Sequence, residues 1–245
     1  MPDPILVKNL TLQYQEYLVL KKLSFNVKKG SVFVIMGSSG CGKSTLLSHL
    51  IGLRKPAKGS ITLQGKDYWK SSEEEQSNLL RRQGVLFQGG ALWTHMNLVE
   101  NVALPLESFT NLSRKECFDL ARMKLSLVGL GGFEEFYPSE ISGGMKKRAG
   151  LARAMALDPE ILFFDEPSAG LDPVTLGRLD ELILRIRDAF GTTIVLVTHE
   201  LASIFRIGED AIFLDSAKKE MIDRGSPKDL LKNGSEKTRQ FLSGG

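Results

Sequence analysis

The fold is decided by residues 32–47, which read VFVIMGSSGCGKSTLL. Residues 32–36 form an apolar run without a polar interruption, which is typical of a strand buried on both faces of a sheet. Residues 37–44 have the spacing G-x-x-x-x-G-K-S, and residues 46–51 place apolar side chains at helical spacing. A strand, a glycine-rich loop and a helix in this order predict a loop whose backbone N–H groups surround phosphate oxygens. The alternative is a glycine-rich turn that binds nothing, and the strand and helix on either side make it the weaker interpretation.

The side chains that close this loop suit a nucleoside triphosphate and its metal ion. Lys43 is placed to bridge the β and γ phosphates, Ser44 offers a hydroxyl group to Mg²⁺, and Thr45 is placed to reach the α phosphate. We therefore predict ATP and Mg²⁺ as cofactors. The predicted ATP-binding residues of the loop are Gly37, Ser38, Ser39, Gly40, Cys41, Gly42, Lys43, Ser44 and Thr45.

The rest of the chain predicts an α/β fold around this loop. Residues 161–164 and 194–197 are further apolar runs, each followed by a turn or helix signal, which favours a parallel sheet covered by helices. Alternating apolar residues in 23–27 and 61–63 predict a small antiparallel β layer near the N-terminus. Residues 91–157 have helical spacing without a strong strand and are expected to form an inserted helical subdomain.

Composition limits the function classes that remain. The chain has 245 residues, 42% of them hydrophobic, and can bury a full core. Its formal charge of +3 is too small and too dispersed to indicate a nucleic-acid surface. Cys41 and Cys117 are far apart and predict neither a disulfide nor a zinc site. Its longest apolar runs are shorter than the roughly 18 residues of a membrane span, and its first residues predict no secretory signal.

Two neighbouring carboxylates end the second apolar run. Strand alternation would point Asp165 and Glu166 in opposite directions, so we expect them to do different work. Asp165 is the candidate for holding a metal-bound water, and Glu166 is the candidate proton acceptor for a water that attacks the γ phosphate. A solvated strand end is the alternative, which the nearby phosphate loop makes weaker.

Two helix starts are also visible. Ser142 is a natural N-cap for a helix expected over 145–157, whose basic residues 146–148 would oppose the helix dipole and favour an anionic partner. A capped surface helix with solvated lysines is the alternative. Asp172 and Pro173 predict the N-cap and first position of a helix that ends at Gly191.

Together these residues resemble the ATP-binding subunits of ABC transporters. The likeness extends over nearly the whole chain and rests on six motifs in order: the phosphate loop, the glutamine loop at 85–88, the signature at 142–145, the acidic pair at 165–166, the aspartate loop at 168–172 and the switch histidine in 197–200. Tyr14 lies where this family places the aromatic residue that stacks on adenine, although it also fits a half-buried strand position.

The resemblance implies a P-loop NTPase (RecA-like) core and a head-to-tail pair of subunits with two ATP molecules at the interface. One chain over 1–245 would form a single domain, with core and β layer at about 1–90 and 158–225, helical subdomain at about 91–157 and tail at 226–245. The implied catalytic residues are Glu166, His199, Lys43 and Gln88, and the implied metal ligands are Ser44, Gln88 and Asp165. In the pair, they would face Ser142, Gly143 and Gly144 of the other subunit.

Within the family, residues 145–148 (MKKR) depart from the usual signature and resemble the Mce-associated branch that moves phospholipid and maintains outer-membrane lipid asymmetry. Residues 88–93, 100–106, 203–205 and 239–242 are also similar to that branch. Residues 216–219 lack the glycine that the branch carries in a tight hairpin, which puts that turn in doubt.

The branch resemblance implies an ATPase at the cytoplasmic face of the inner membrane of a Gram-negative-type cell. It would power phospholipid transport as a homodimer on an integral membrane permease, with a small regulatory subunit and a periplasmic lipid-binding Mce-type protein as further candidate partners and no nucleic acid. Residues 88–106 would contact the permease or, alternatively, fill the helical subdomain's own core. Other hypotheses are an ATPase for amino-acid uptake or lipoprotein release, a soluble ABC ATPase acting on DNA, and a nucleotide sensor without turnover.

Overall fold

The computed structural model describes residues 3–244 and contains two sheets. The first sheet is antiparallel, and its strands in spatial order are β2 (Tyr17–Val27), β1 (Ile5–Tyr14), β4 (Lys58–Leu63) and β5 (Lys66–Asp67). The predicted alternating stretches 23–27 and 61–63 lie in β2 and β4. The antiparallel layer is therefore confirmed.

The second sheet has six strands. In spatial order they are β10 (Glu220–Gly225), β9 (Asp210–Asp215), β3 (Val32–Gly37), β8 (Thr193–Val197), β7 (Ile161–Asp165) and β6 (Gln83–Leu86). All neighbours pair in parallel except β10, which is antiparallel to β9. The three predicted buried strands β3, β8 and β7 are adjacent, so their carboxyl ends meet at one edge of the sheet, where open α/β sheets bind ligands.

Nine α-helices of the described chain cover these sheets. They are α1 (Lys43–Leu50), α2 (Glu73–Arg81), α3 (Leu98–Phe109), α4 (Arg114–Leu127), α5 (Gly143–Ala154), α6 (Pro173–Phe190), α7 (Leu201–Ile207), α8 (Pro227–Asn233) and α9 (Glu236–Leu242). Helices α3 to α5 occupy the region expected to be helical, and residues 91–157 contain no strand. None of the helices within residues 3–244 combines the length and apolar character that a bilayer crossing requires.

The two faces of the central sheet are buried in separate hydrophobic clusters. Phe33 and Ile35 of β3 face the antiparallel layer and α1, while Val34 and Met36 face the side covered by the other helices. The Phe33 ring stacks on Phe25 of β2 at 5.4 Å between centroids. Full burial of each such side chain stabilises the fold by roughly 1.5–3 kcal/mol, which explains why the run carries no polar residue.

The predicted bounds of α6 are confirmed, and those of α5 are corrected. The Asp172 carboxylate caps α6 by accepting from two backbone N–H groups, and Gly191 ends the helix with a left-handed φ of 64°. Helix α5 begins two residues before the expected start and ends at Ala154 instead of Leu157. Its end comes early because three-residue turns follow Ala154: the Ala156 N–H donates to the Arg153 carbonyl and the Asp158 N–H to the Met155 carbonyl, both at 3.1 Å.

The hairpin between β9 and β10 forms without a glycine. Lys219 takes the left-handed position, with φ of 56°, and its N–H donates to the Asp215 carbonyl at 2.8 Å. The Asp215 carboxylate accepts from the Lys218 N–H at 2.6 Å. These bonds resolve the doubt that the sequence raised about residues 216–219.

Candidate nucleotide-binding site

A cavity of about 750 Å³ lies at the carboxyl edge of the central sheet. It brings together most of the residues that the sequence predicts for ATP and adds three that it does not. The lining residues are Tyr14, Tyr17, Val19, Gly37, Ser38, Ser39, Gly40, Gly42, Lys43, Ser44, Thr45, Gln88, Glu166, His199 and Phe241.

The loop between β3 and α1 has a backbone that requires glycine. Gly40 and Gly42 have φ of 76° and 102°, which L side chains rarely adopt, and a Cβ on Gly42 would lie 3.0 Å from the side chains of Val19 and Leu20. Gly42 is the N-cap of α1 and has no side chain to accept from the first-turn N–H groups. Those donors are therefore available to an anion at the positive end of the helix dipole.

Lys43 is the buried cation of this loop, with only 8% of its surface exposed. Its ammonium Nζ donates to the carbonyl oxygens of Gly37 at 2.9 Å and Ser38 at 3.2 Å. The side chain is thus folded back over the loop that it belongs to. An ammonium group has three N–H donors and no geometric fork, so it can exchange these carbonyls for phosphate oxygens at small cost.

Ser44 and Asp165 form one oxygen cluster beside the loop. The Ser44 hydroxyl donates to the Asp165 carboxylate at 3.2 Å, across 121 positions of sequence. Burial raises the pKa of Asp165, the Ser44 hydrogen bond and the Lys43 charge lower it, and the Glu166 charge raises it further. A bound cation would reverse the balance by stabilising the carboxylate.

Glu166 and His199 are in direct contact. Nδ1 of His199 lies 2.9 Å from Oε2 of Glu166, and the imidazole is largely exposed toward the cavity. The sequence explanation for the orientation of Glu166 is wrong, because β7 ends at Asp165 and Glu166 has a left-handed φ of 47°. Turn geometry, and not strand alternation, separates the two carboxylates and directs Glu166 to His199.

The glutamine loop reaches the cavity and is anchored on α5. Gln88 is exposed and lines the cavity. Two residues later, a Cβ on Gly90 would lie 2.8 Å from the Lys146 carbonyl, and a Cβ on Gly150 would lie 2.8 Å from the Gly90 carbonyl. The half-buried Arg153 guanidinium also donates to the Gly90 carbonyl at 3.0 Å. A shift of α5 therefore moves the backbone that carries Gln88.

The signature residues are not part of this cavity. Ser142, Gly144 and Met145 line a separate cavity of about 460 Å³, and the Ser142 hydroxyl accepts from the Met145 N–H at 3.3 Å as the N-cap of α5. Within one chain, the structure thus does not bring Ser142, Gly143 and Gly144 together with the phosphate loop.

The expectation that basic residues at the start of α5 are left uncompensated is wrong for two of the three. Lys147 is buried and donates to the Ala169 carbonyl. Arg148 donates to the carbonyls of Val128 at 3.1 Å and Gly129 at 2.9 Å. Carbonyl groups supplied by distant turns compensate these charges, so they do not by themselves indicate an anionic partner.

Tyr14 lines the cavity but has a neighbour that the sequence did not reveal. The Arg54 guanidinium lies 4.7 Å from the centre of its ring, so a nucleotide base would have to use the opposite face. Tyr17, three residues later, is 65% exposed and carries the Lys219 ammonium 4.4 Å from its ring centre. Its proximity to Tyr14 in the β1–β2 hairpin was the signal available in the sequence.

Cys41 in the phosphate loop and Phe241 in α9 both differ from expectation. Cys41 is buried with its side chain in the hydrophobic cluster, and burial raises the pKa of its thiol, so only its backbone can contribute to the site. Phe241 reaches the cavity from α9, where its ring packs against Phe213 at 5.3 Å. The sequence marked residues 239–242 as similar to a family branch but not as site residues.

Residues 88–106 divide between the two alternatives left open by the sequence. Leu92 packs against the hydrophobic cluster, and α3 buries Leu98 and Val102 in the same cluster, so much of the segment is core and not free surface. Trp93 is 52% exposed. Its backbone is fixed by the buried Asn101 side chain, which accepts from the Trp93 N–H at 2.8 Å and donates to the Trp93 carbonyl at 3.0 Å.

Comparisons with known proteins match most of the chain. Residues 20–169 match the family model described as ABC transporter. The chain is 39% identical, over 97% of its length and 89% of the relative, to the intermembrane phospholipid transport system ATP-binding protein MlaF of Haemophilus influenzae. It is 42% identical, over 97% of its length and 68% of the relative, to the probable ribonucleotide transport ATP-binding protein mkl of Mycobacterium leprae.

A solved structure gives the same fold. The dimeric structure of the ATP-binding cassette MJ0796, described as a post-hydrolysis state bound to ADP and Pi, superposes with a TM-score of 0.80 at 29% identity, covering 91% of this chain and 98% of the other.

Proposed function

The chain belongs to the ABC transporter family and is an ATPase of that family, and we propose that it powers phospholipid movement between the two membranes of a Gram-negative-type cell. The observation that carries the hydrolytic part is the single cavity where Lys43, Ser44, Gln88, Glu166 and His199 meet. The likeness to MlaF supports the phospholipid part. The mkl relative, whose name refers to ribonucleotide transport, provides the competing cargo for the test.

The contacts suggest a role for each residue in hydrolysis. Glu166 has one carboxylate oxygen on His199 and its other oxygen available to accept a proton from the attacking water. His199 uses Nδ1 toward Glu166, which leaves Nε2 for the γ phosphate. Lys43 and the first-turn N–H groups of α1 would stabilise the negative charge that develops on the transferred group.

We propose Ser44, Asp165 and Gln88 as the residues that hold Mg²⁺. A hydroxyl, a carboxylate and an amide oxygen are hard donors of the kind this ion prefers, and the first two already lie 3.2 Å apart. The ion would neutralise charge on the triphosphate. The donor set therefore fits the metal that the family implies.

The second half of each ATP site is proposed to come from another copy of the chain. Ser142, Gly143 and Gly144 stand at the capped start of α5, in a cavity separate from the phosphate loop. A head-to-tail pair would place this helix start over the triphosphate bound by the other copy, and the dimeric MJ0796 structure is consistent with such a pair. Hydrolysis would then separate the two copies.

The permease is proposed to insert a helix into an apolar groove between α2, β6 and α3. The groove has a volume of about 540 Å³ and is lined by Leu80, Val85, Pro105 and Phe109, among others. At its wall, both polar atoms of the Gln83 amide are buried without a hydrogen-bond partner among residues 3–244. Arg81 and Arg153 also line the groove and favour a partner helix that carries acidic residues.

Trp93 is the second proposed permease contact, because it is exposed on a turn that Asn101 holds rigid. Trp93→Ala should leave the fold unchanged and reduce the stimulation of ATPase activity by the permease. Equal stimulation of the variant and the native chain would refute this contact. Phe190→Ala, which removes a similarly exposed aromatic ring at the last residue of α6, is the matched control.

The remaining assignments of location and partners follow from the MlaF likeness and are proposals. The chain would lie peripherally on the cytoplasmic face of the inner membrane, held by the permease. A small regulatory subunit and a periplasmic lipid-binding Mce-type protein are proposed as further components of the complex.

The test is purification of the complex in mild detergent, identification of its chains, and reconstitution into vesicles. We expect an integral permease to co-purify and phospholipid transfer to require MgATP. Transfer of ribonucleotide without phospholipid would favour the mkl-like cargo and refute the phospholipid assignment. Co-purification with an amino-acid permease or a lipoprotein-release complex would also refute it.

A further inference from the structure

Asp180 is a buried acid that the hydrolytic residues do not use. It lies in α6 with only 3% of its surface exposed. The Ser203 hydroxyl donates to its two carboxylate oxygens, at 2.9 Å and 3.1 Å, and Nη1 of Arg206 lies 3.5 Å from one of them. Both partners belong to α7, so one side chain of α6 is satisfied entirely by the next helix.

Gly177 makes this contact possible. It lies one turn before Asp180, and a Cβ at this position would lie 2.7 Å from Nη1 of Arg206. The bare backbone therefore lets the guanidinium cross α6 to reach the carboxylate. We call Gly177, Asp180, Ser203 and Arg206 the α6–α7 clamp.

Both helices joined by the clamp begin next to motif residues of the candidate site. Helix α6 starts at the aspartate loop, immediately after Asp172, and α7 starts at Leu201, two residues after His199. Helix α7 has only seven residues, and its N-cap Glu200 makes no side-chain capping bond. So short a helix depends on tertiary contacts for its position.

We propose that Asp180 is a positioning residue for ATP hydrolysis. Its carboxylate fixes α7 against α6, and α7 in turn holds His199 at its 2.9 Å contact with Glu166. The inference rests on the proposed function of that site. The clamp would then connect the aspartate loop to the switch histidine within one chain.

The surroundings of Asp180 disfavour the charged form of its carboxyl group. Burial raises its pKa to about 6, although the Ser203 hydrogen bond and the Arg206 charge lower it, and the nearby Glu200 charge raises it further. A neutral amide would avoid this cost.

Asp180→Asn tests the role, because it keeps the shape and removes the charge. In the full chain assembled with its permease, we expect kcat to fall about tenfold while the Kd for a fluorescent ATP analogue changes less than about twofold, as for a misplaced catalytic group. The ratio of native to variant kcat should approach one as the pH falls below about 6, where the native carboxyl is also neutral. Unchanged kcat at pH 8, or a ratio that does not depend on pH, would overturn the proposal.

Two variants separate this role from general stability. Ser203→Ala removes the hydroxyl donor of the clamp and should lower kcat in the same direction even if Asp180→Asn does not fold. Asp188→Asn weakens the bond of the exposed Asp188 to Arg187, 2.7 Å long, at the far end of α6, and should leave kcat unchanged. If the native complex releases no phosphate, the proposed function itself fails, whereas an active native complex with an equally active Asp180→Asn variant defeats the clamp alone.

Discussion

Replacement of Lys43 by alanine is the perturbation whose size follows most directly from the structure. The Lys43 ammonium is buried in the loop, and it now donates to two backbone carbonyls at 2.9 Å and 3.2 Å. On nucleotide binding it would exchange these neutral acceptors for charged phosphate oxygens. The variant loses that exchange and the positive charge, but leaves Gly40 and Gly42 to shape the loop.

The variant should lose roughly 1.5–3 kcal/mol of ATP-binding free energy, the usual net value of a hydrogen bond to a charged group. The net value is this small because Lys43 must give up its two carbonyl bonds in the loop when it binds phosphate. At 1.4 kcal/mol for each factor of ten, ATP affinity should fall roughly 10- to 150-fold. Titration with a fluorescent ATP analogue measures the change, and circular dichroism verifies the fold.

Two controls accompany this measurement. Lys66→Ala removes the same charge from an exposed ion pair with Glu75 and should leave affinity unchanged. Lys43→Arg keeps the charge but not the compact ammonium, and should recover only part of the loss. A folded Lys43→Ala chain that binds ATP within about twofold of the native Kd would show that Lys43 does not contact the phosphates.

Three further predictions concern other parts of the molecule. Gly90→Ala should lower the ATPase rate more than it lowers ATP affinity, because the new Cβ would lie 2.8 Å from the Lys146 carbonyl and displace the glutamine loop from α5. Equal losses of ATPase rate and of affinity would contradict this. Burial raises the pKa of the Cys41 thiol, so maleimide should label it far more slowly than in the unfolded chain, and rapid labelling of the folded chain would show the side chain to be outside the core. Folding raises the pKa of Asp180, so the stability that its neutral form contributes is complete below about pH 4 and is lost as the pH rises through about 6. Across this range, the free energy of unfolding of the native chain should fall by up to about 3 kcal/mol relative to that of Asp180→Asn, as measured by urea titration. A constant difference between the two chains at every pH would refute this prediction.

Sequence reasoning succeeded where the signal is local. The strand, loop and helix at residues 32–50 follow from an uninterrupted apolar run and from the spacing of glycine and lysine. The bounds of α6 follow from Asp172, Pro173 and Gly191, each of which acts on the backbone within one turn.

Sequence reasoning was incomplete where the contact is distant or depends on an unusual backbone. The compensation of Lys147 comes from the Ala169 carbonyl, and Phe241 reaches the cavity from the other end of the chain, so neither leaves a periodic pattern. Glu166 is directed by a left-handed turn that no local residue preference indicates. The assignment of roles to the site residues and the division into subdomains stay predictions that mutagenesis and limited proteolysis can test.

We propose that two copies of the chain bind ATP between them and that Glu166 then activates the water whose attack releases the two copies. Glu166→Gln keeps the side-chain size but removes the general base, so turnover should fall by roughly 10²- to 10⁴-fold while ATP still binds. Light scattering after size exclusion should therefore give twice the 27.1 kDa chain mass for Glu166→Gln with MgATP and the single-chain mass without nucleotide. A variant that stays at the single-chain mass with saturating MgATP, or that releases phosphate at the native rate, would contradict the account.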